Sequence, residues 1–246
     1  MVALSTPRPE GEYFDQLVED SGDFNPFTDR GWRTLARRFA AASHGATGLR
    51  VLDVGCGTGQ SRQIYAAQAR QHVGLDLSIG ALRRAVDRHR DSSWLQADAA
   101  RLPFADGAFD VVALSSVLHH VPDVGSVLRE AVRVSVPSGL VFAFDPNLLH
   151  PAMLLFRHPK SPFYSPLGVS PHEQPVLPGV LRSAFEDAGL VSVAQRCQSN
   201  IPYRQVAPPL LNALLPLYNL IDAGWEYSGA ARLFGAFVVT WGRKRR

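Results

Sequence analysis

The sequence predicts an α/β fold in which strands alternate with helices around a mostly parallel sheet. Three observations carry this. Short apolar runs recur between Arg50 and Asp145, each closing on an acid or a small residue. Polar, helix-length stretches separate them. The first run ends in a glycine-rich turn, the place where an open α/β sheet meets its ligands.

The runs are Val51–Val54, His72–Leu75, Ser93–Ala97, Phe109–Leu114 and Leu140–Phe144, each short enough for a strand buried on both faces. Thr58–Arg70, Ser78–Arg90 and Val124–Val134 are the helices between them, and strands so connected run parallel with right-handed crossovers. From Asp145 to Pro178 the prolines 146, 151, 159, 162, 166, 171, 175 and 178 mark an inserted loop or lid. A helix over Gly179–Ala188 follows, stopped by Gly189, and then a strand over Leu190–Arg196. The last apolar run, Phe234–Trp241, is expected to pair antiparallel with it. Within Ile201–Ala231, Leu210, Leu211, Leu214, Leu215, Leu217, Tyr218 and Leu220 suit an amphipathic helix packed into the core and kinked at Pro216. The expected organisation is one domain over residues 1–246. Residues 1–45 form an N-terminal cap, and 146–178 with 199–232 form a lid over the substrate.

The 246 residues carry 46% hydrophobic and 19% charged side chains, enough to bury a sizeable core without cross-links. The net charge of +3 comes from the terminal Arg243, Lys244, Arg245 and Arg246; without them 21 basic residues face 22 acidic ones. That balance argues against a nucleic-acid groove. Two cysteines, Cys56 and Cys197, make neither a disulfide framework nor a zinc site. His150, His158 and His172 lack a close ligand spacing, so no metal is expected. No signal peptide and no run of about 18 apolar residues is seen, so a cytoplasmic protein without an integral membrane segment is expected.

In Val51-Leu52-Asp53-Val54-Gly55-Cys56-Gly57-Thr58-Gly59 the turn lies between a strand and a helix. Glycines there let a ligand approach the backbone, and the helix start offers free N–H groups. Asp76 ends the second strand and can accept two hydrogen bonds from a ribose diol, or else cap the helix that follows Leu77 and Ser78. Asp98 ends the third strand, where it suits an adenine amine or a plain turn.

A glycine turn and two acids at successive strand ends describe a nucleoside site. Through Val51–Gly59, Val73–Ser78, Leu95–Phe104 and Phe109–Asp123 the chain resembles the class I S-adenosylmethionine-dependent methyltransferases of the small-molecule type. The resemblance covers roughly Arg50 to Asp145. It implies a Rossmann-like sheet of seven strands with helices on both faces, the seventh antiparallel. It also implies that Gly55, Gly57 and Gly59 flank the methionine part of S-adenosylmethionine, that Asp76 holds the ribose, and that Asp98 with the Ala99 backbone reads adenine. Asp53, Cys56, Leu77 and Ser115 line the same site. A nicotinamide dinucleotide enzyme would carry its third glycine where this chain has Gln60.

Methyl transfer to a hydroxyl requires a base. Ser115-Ser116-Val117-Leu118-His119-His120 sets two imidazoles beyond the donor pocket, and Asp145, ending the fifth strand, faces the same rim. His120 is the first choice for base, with His119 and Asp145 as the other catalytic candidates. Ser115-Ser116-Val117-Leu118 is not the Asn-Pro-Pro-Tyr type of motif expected of nucleic-acid amine methylation. The acceptor is therefore expected to be a small hydrophobic metabolite, methylated on oxygen. The alternatives are carbon or nitrogen methylation of a quinone or lipid headgroup, and a non-catalytic S-adenosyl-ligand module. Tyr13, Phe14, Phe24, Phe27, Trp32, Phe163, Tyr164, Tyr203, Tyr218, Trp225 and Tyr227 are candidate acceptor contacts.

Overall fold

The computed structural model describes residues 10–21, 27–165, 169–199, 213 and 215–246. One sheet organises them, with strands β1 (Leu49–Val54), β2 (Ala69–Asp76), β3 (Ser93–Gln96), β4 (Phe109–Ser115), β5 (Ser135–Pro146), β6 (Leu190–Gln198) and β7 (Phe237–Lys244). Their order is β3-β2-β1-β4-β5-β7-β6. The first five are parallel, while β7 inserts antiparallel between β5 and β6.

Alternation along each strand sends successive side chains to opposite faces. Val51, Val111, Ala113, Phe142 and Val239 pack on the face shared with Trp32, Leu35 and Phe39 of α2 (Asp29–Ala42). Leu52, Val112, Val141 and Val238 pack on the other, with Val127, Leu128 and Ala131 of α5 (Val124–Val134) and with Leu181 and Phe185 of α7 (Pro178–Asp187). Each of the Val, Leu and Phe side chains contributes about 1.5–3 kcal/mol on burial. The helix starts follow the capping rules: Thr28 accepts from the Gly31 N–H at 3.2 Å, and Asp123 from the Ser126 N–H at 3.1 Å. Gly189 ends α7 at φ +90°.

The structure departs from the expected elements in several places. Of Thr58–Arg70 only α3 (Arg62–Tyr65) is helical. Residues 58–61 continue the glycine turn, and Gln68 is drawn away by donating to Ser43 Oγ at 2.6 Å and Ala46 O at 2.8 Å. The proline-rich stretch holds a helix, α6 (Pro151–Arg157), because Pro151 stands in its first turn and His150 caps it by accepting from the Ala152 N–H. In α8 (Leu215–Ser228) Pro216 lies in the first turn, where it is tolerated without a kink, and Leu217 and Leu220 are exposed. Its inward face is Tyr218, Asp222 and Trp225, spaced four and three residues apart. Leu210, Leu211 and Leu214 lie outside the described residues, and Phe234 belongs to α9 (Ala231–Phe234) rather than to β7. α1 (Glu10–Ser21) lies across α4 (Ile79–Arg88). Among the described residues no helix is long and apolar enough to cross a membrane.

Candidate active site

β1 has β2 on one side and β4 on the other, so the chain reverses direction across the sheet here and a crevice opens at the carboxyl ends of these strands. The turn after β1 folds toward β2, with the Gly55 and Cys56 N–H groups both donating to Leu75 O at 2.8 and 3.1 Å. Gly55 has φ +71°, and a Cβ there would stand 2.6 Å from Val117 Cβ. A Cβ on Gly57 would meet nothing within 4 Å, so open space lies over the turn. Asp76 borders that space. Its carboxylate accepts from the Gly57 N–H at 2.7 Å and the Ser78 N–H at 2.9 Å, one bond per oxygen. Each oxygen keeps a lone pair, enough for a vicinal diol. Burial raises the Asp76 pKa, against the pull of those two N–H groups. Ser78, not Asp76, caps α4 by accepting from the Ala81 N–H.

Beneath the turn Asp53 is wholly buried and accepts from Ser61 Oγ at 2.6 Å and from Ser115 Oγ. Ser115 also bonds the Tyr65 hydroxyl at 2.9 Å, and His72 Nε2 stands 3.5 Å from Asp53. This set braces the turn from behind, and Asp53 has no exposed surface to offer a ligand. Cys56 is buried too, its thiol pushed well up by burial and by Asp76 and Asp53. Leu77 is exposed beside Gly11 of α1, Ala99 is buried, and Asp98 is exposed with Oδ1 accepting from the Ala100 N–H at 2.8 Å.

Beyond β4 a short 3-10 turn, Leu118–His120, carries the two imidazoles, their ring centroids 3.8 Å apart. His119 is buried, with Nδ1 2.9 Å from Asp145 Oδ1, and its backbone N–H donates to the same oxygen at 3.2 Å. Burial disfavours charge on both partners, pushing His119 down to about 3 and Asp145 up to about 7. His120 Nδ1 lies 2.7 Å from Ser170 Oγ and 3.2 Å from Glu10 Oε1, and Phe14 meets the ring edge-on at 5.0 Å. Burial, then His119, lowers the His120 pKa, opposed by Glu10 and Glu173. The imidazole is therefore uncharged near neutrality and able to accept a proton. The Gln174 N–H donates to His119 O at 2.8 Å, which pins the proline-rich segment over the pair.

The sequence-derived candidates thus fall into three groups. Gly55, Gly57 and Asp76 surround the open space; Asp53 and Ser115 brace it; His119, His120 and Asp145 cluster beside it. Gly59 is set apart from them, at φ +81° and packed against Trp94, Ala85 and His89. Among the proposed acceptor contacts Phe27 and Trp32 are core residues, Phe163 and Tyr227 are exposed, and Tyr218 bonds His150 Nε2 at 2.7 Å. Phe24 and Tyr203 lie outside the described residues. Glu10, Asp15 and Ser170 had no sequence signal, since their partners are 50 to 160 residues away. Among the described residues no group of three or more His, Cys, Asp or Glu side chains is arranged to hold a metal ion.

Comparison with known proteins agrees with this geometry. A family model described as a methyltransferase domain matches residues 52–143. The chain is 35% identical over 145 residues to a demethylmenaquinone methyltransferase of Renibacterium salmoninarum, covering 58% of this chain and 60% of that one. It is 31% identical over 184 residues to the Beutenbergia cavernae protein of the same name, covering 74% and 77%. The chain thus spans less than two thirds of the first relative's length. The fold matches phosphoethanolamine N-methyltransferase 2 of Haemonchus contortus, solved with phosphomonomethylethanolamine and S-adenosylhomocysteine. That match has a TM-score of 0.70 at 17% identity and covers 97% of this chain and 61% of that one. With the strand order, the glycine turn and its acid all accounted for, the chain belongs to the class I S-adenosylmethionine-dependent methyltransferases.

Proposed function

We propose that the chain transfers a methyl group from S-adenosylmethionine to a ring carbon of a hydroxylated, quinone-derived small molecule. The observation that carries this is the His120 imidazole in the turn just after β4, the strand beside the glycine turn, with Nδ1 2.7 Å from Ser170 Oγ and 3.2 Å from Glu10 Oε1. S-adenosylmethionine, when bound, supplies a methyl group already activated on a positive sulfur. The chain's residues then have three tasks. The turn and Asp76 hold the donor, α1 and the proline-rich segment exclude water, and His120 takes a proton from the acceptor. His119 is the poorer base, because burial opposes its charging far more strongly.

Removal of a ring hydroxyl proton leaves an anion that is nucleophilic at the oxygen and at the adjacent ring carbon. One base therefore starts either product; in carbon methylation the methylated ring carbon then gives up its own hydrogen as a proton and the oxygen regains one, which restores the aromatic ring. The relatives named demethylmenaquinone methyltransferase favour carbon over the hydroxyl methylation expected from sequence. The test is incubation with methyl-labelled donor and a 1,4-naphthohydroquinone unsubstituted at C2, followed by carbon NMR. An aryl-methyl signal is expected. A methoxy signal would make the protein an oxygen methyltransferase, and donor binding without any product across hydroquinones and phenols would make it a binding module.

A further inference from the structure

We propose that Glu10 and Ser170 are positioning residues for His120, holding its Nδ1 protonated so that Nε2 is the atom that takes the acceptor's proton. This rests on the methyl-transfer reading above and adds two residues to it, both from segments outside the sheet.

The direction of the hydrogen bonds carries the inference. The carboxylate of Glu10 can only accept, and Ser170 Oγ donates its single proton to Glu10 Oε1. Ser170 then has only lone pairs to offer His120 Nδ1, 2.7 Å away. The direct contact of Nδ1 with Glu10 Oε1, at 3.2 Å, demands the same proton. Every polar partner of Nδ1 is an acceptor, so a neutral imidazole must carry its hydrogen there. Its Nε2 makes no hydrogen bond among the described residues and keeps its lone pair free. Burial alone would raise the Glu10 pKa, but the bonds from His120 and Ser170 hold it below the usual range, so the carboxylate is ionised. A positive charge on the ring, gained by protonation at Nε2, would strengthen the same Nδ1–H contact to the Glu10 carboxylate.

The helix that brings Glu10 is also fastened to the donor side. Asp15 of α1 accepts from Ser78 Oγ at 2.6 Å and from the Gly80 N–H at 2.8 Å, and Arg84 donates to Val18 O at 2.8 Å. α1 therefore joins the Leu77 rim to the His120 base through one rigid element. The charged and titratable groups that act on His120 are Glu10 from α1, His119 beside it, Glu173 from the proline-rich segment, Asp76 at the end of β2 and Asp145 at the end of β5.

Long-range nitrogen–proton NMR of the ligand-free protein reads the His120 tautomer without any turnover. The Nδ1–H form is expected in the wild type. Glu10→Ala should convert it to Nε2–H, because Ser170 is then free to donate to Nδ1. The same variant should lower kcat at least tenfold with the KM for donor nearly unchanged, and shift the acidic limb of the kcat–pH profile to lower pH. Glu10→Asp should restore part of each. An Nε2–H tautomer in the wild type, or a Glu10→Ala protein whose tautomer and acidic limb do not move, would overturn the proposal. A protein with the expected tautomers that methylates no acceptor would uphold the hydrogen-bond relay and overturn the methyl-transfer reading beneath it.

Discussion

The glycine-turn side and the His120 side of the candidate site are built by different means. Around the glycine turn the contacts are backbone N–H groups meeting one carbonyl and one carboxylate, and the participants lie within about thirty residues of one another: Gly55 and Cys56 on Leu75, Gly57 and Ser78 on Asp76. Around His120 they are buried side chains from α1, the 3-10 turn and the proline-rich segment, with Glu10 and Ser170 separated by 160 residues. A backbone cradle tolerates change in most of its side chains and fixes a shape. A side-chain cluster fixes a charge pattern, and one substitution alters it.

Four perturbations separate the halves. The largest effect is expected at His120. His120→Ala should cut turnover about 10²-fold or more while S-adenosylhomocysteine affinity, measured calorimetrically, stays nearly unchanged. An unaltered rate would remove His120 from the chemistry. Gly55→Val should destabilise the fold by about 2–4 kcal/mol in denaturant titration, since it combines a left-handed backbone with a clash against Val117. Asp76→Ala should weaken S-adenosylhomocysteine binding about 10–100-fold, with kcat at saturating donor affected less.

The smallest effect concerns pH. The raised pKa of Asp145, about 7, means that the folded state holds a proton there that the unfolded chain has lost above about pH 4. Its contribution to stability therefore falls as pH rises from about 4 to about 7. His119, pushed down to about 3, acts in the opposite sense, and stability gained through it rises between about pH 3 and 6.5. The two oppose each other through mildly acid pH. Asp145→Asn leaves only the rising contribution, so the variant's stability should climb more steeply with pH over that window, by up to about 1.4 kcal/mol per pH unit. An unchanged slope would mean that the pair does not titrate as its burial implies.

The same contrast explains what could be read from the sequence. Val124–Val134 and the five parallel strands follow from local apolar patterning, and the helix bounds there match to the residue because Asp123 caps the start. The Gly55–Asp76 crevice followed from residue type and spacing along one strand–turn–helix stretch. Thr58–Arg70 misled, since composition permits a helix that tertiary bonds from Gln68 and Ser61 prevent. Glu10 and Ser170 could not be found, because nothing near them in the chain marks them as partners of His120. Asp53 and Ser115 were visible, but only packing shows that they face inward.

Strand β7 has a consequence for how the protein is made. It lies between β5 and β6, so β6 has no partner in the sheet until residues 237–244 arrive, some forty positions later. Lys244 then donates to Ser135 O at 2.9 Å, and Arg243 to Ala42 O at 2.8 Å, stitching the late segment to helix ends formed long before. On the ribosome the first five strands can collapse early with one margin bare. A nascent chain stalled before residue 237 would present β5 as an unpaired edge and be a natural client for chaperones.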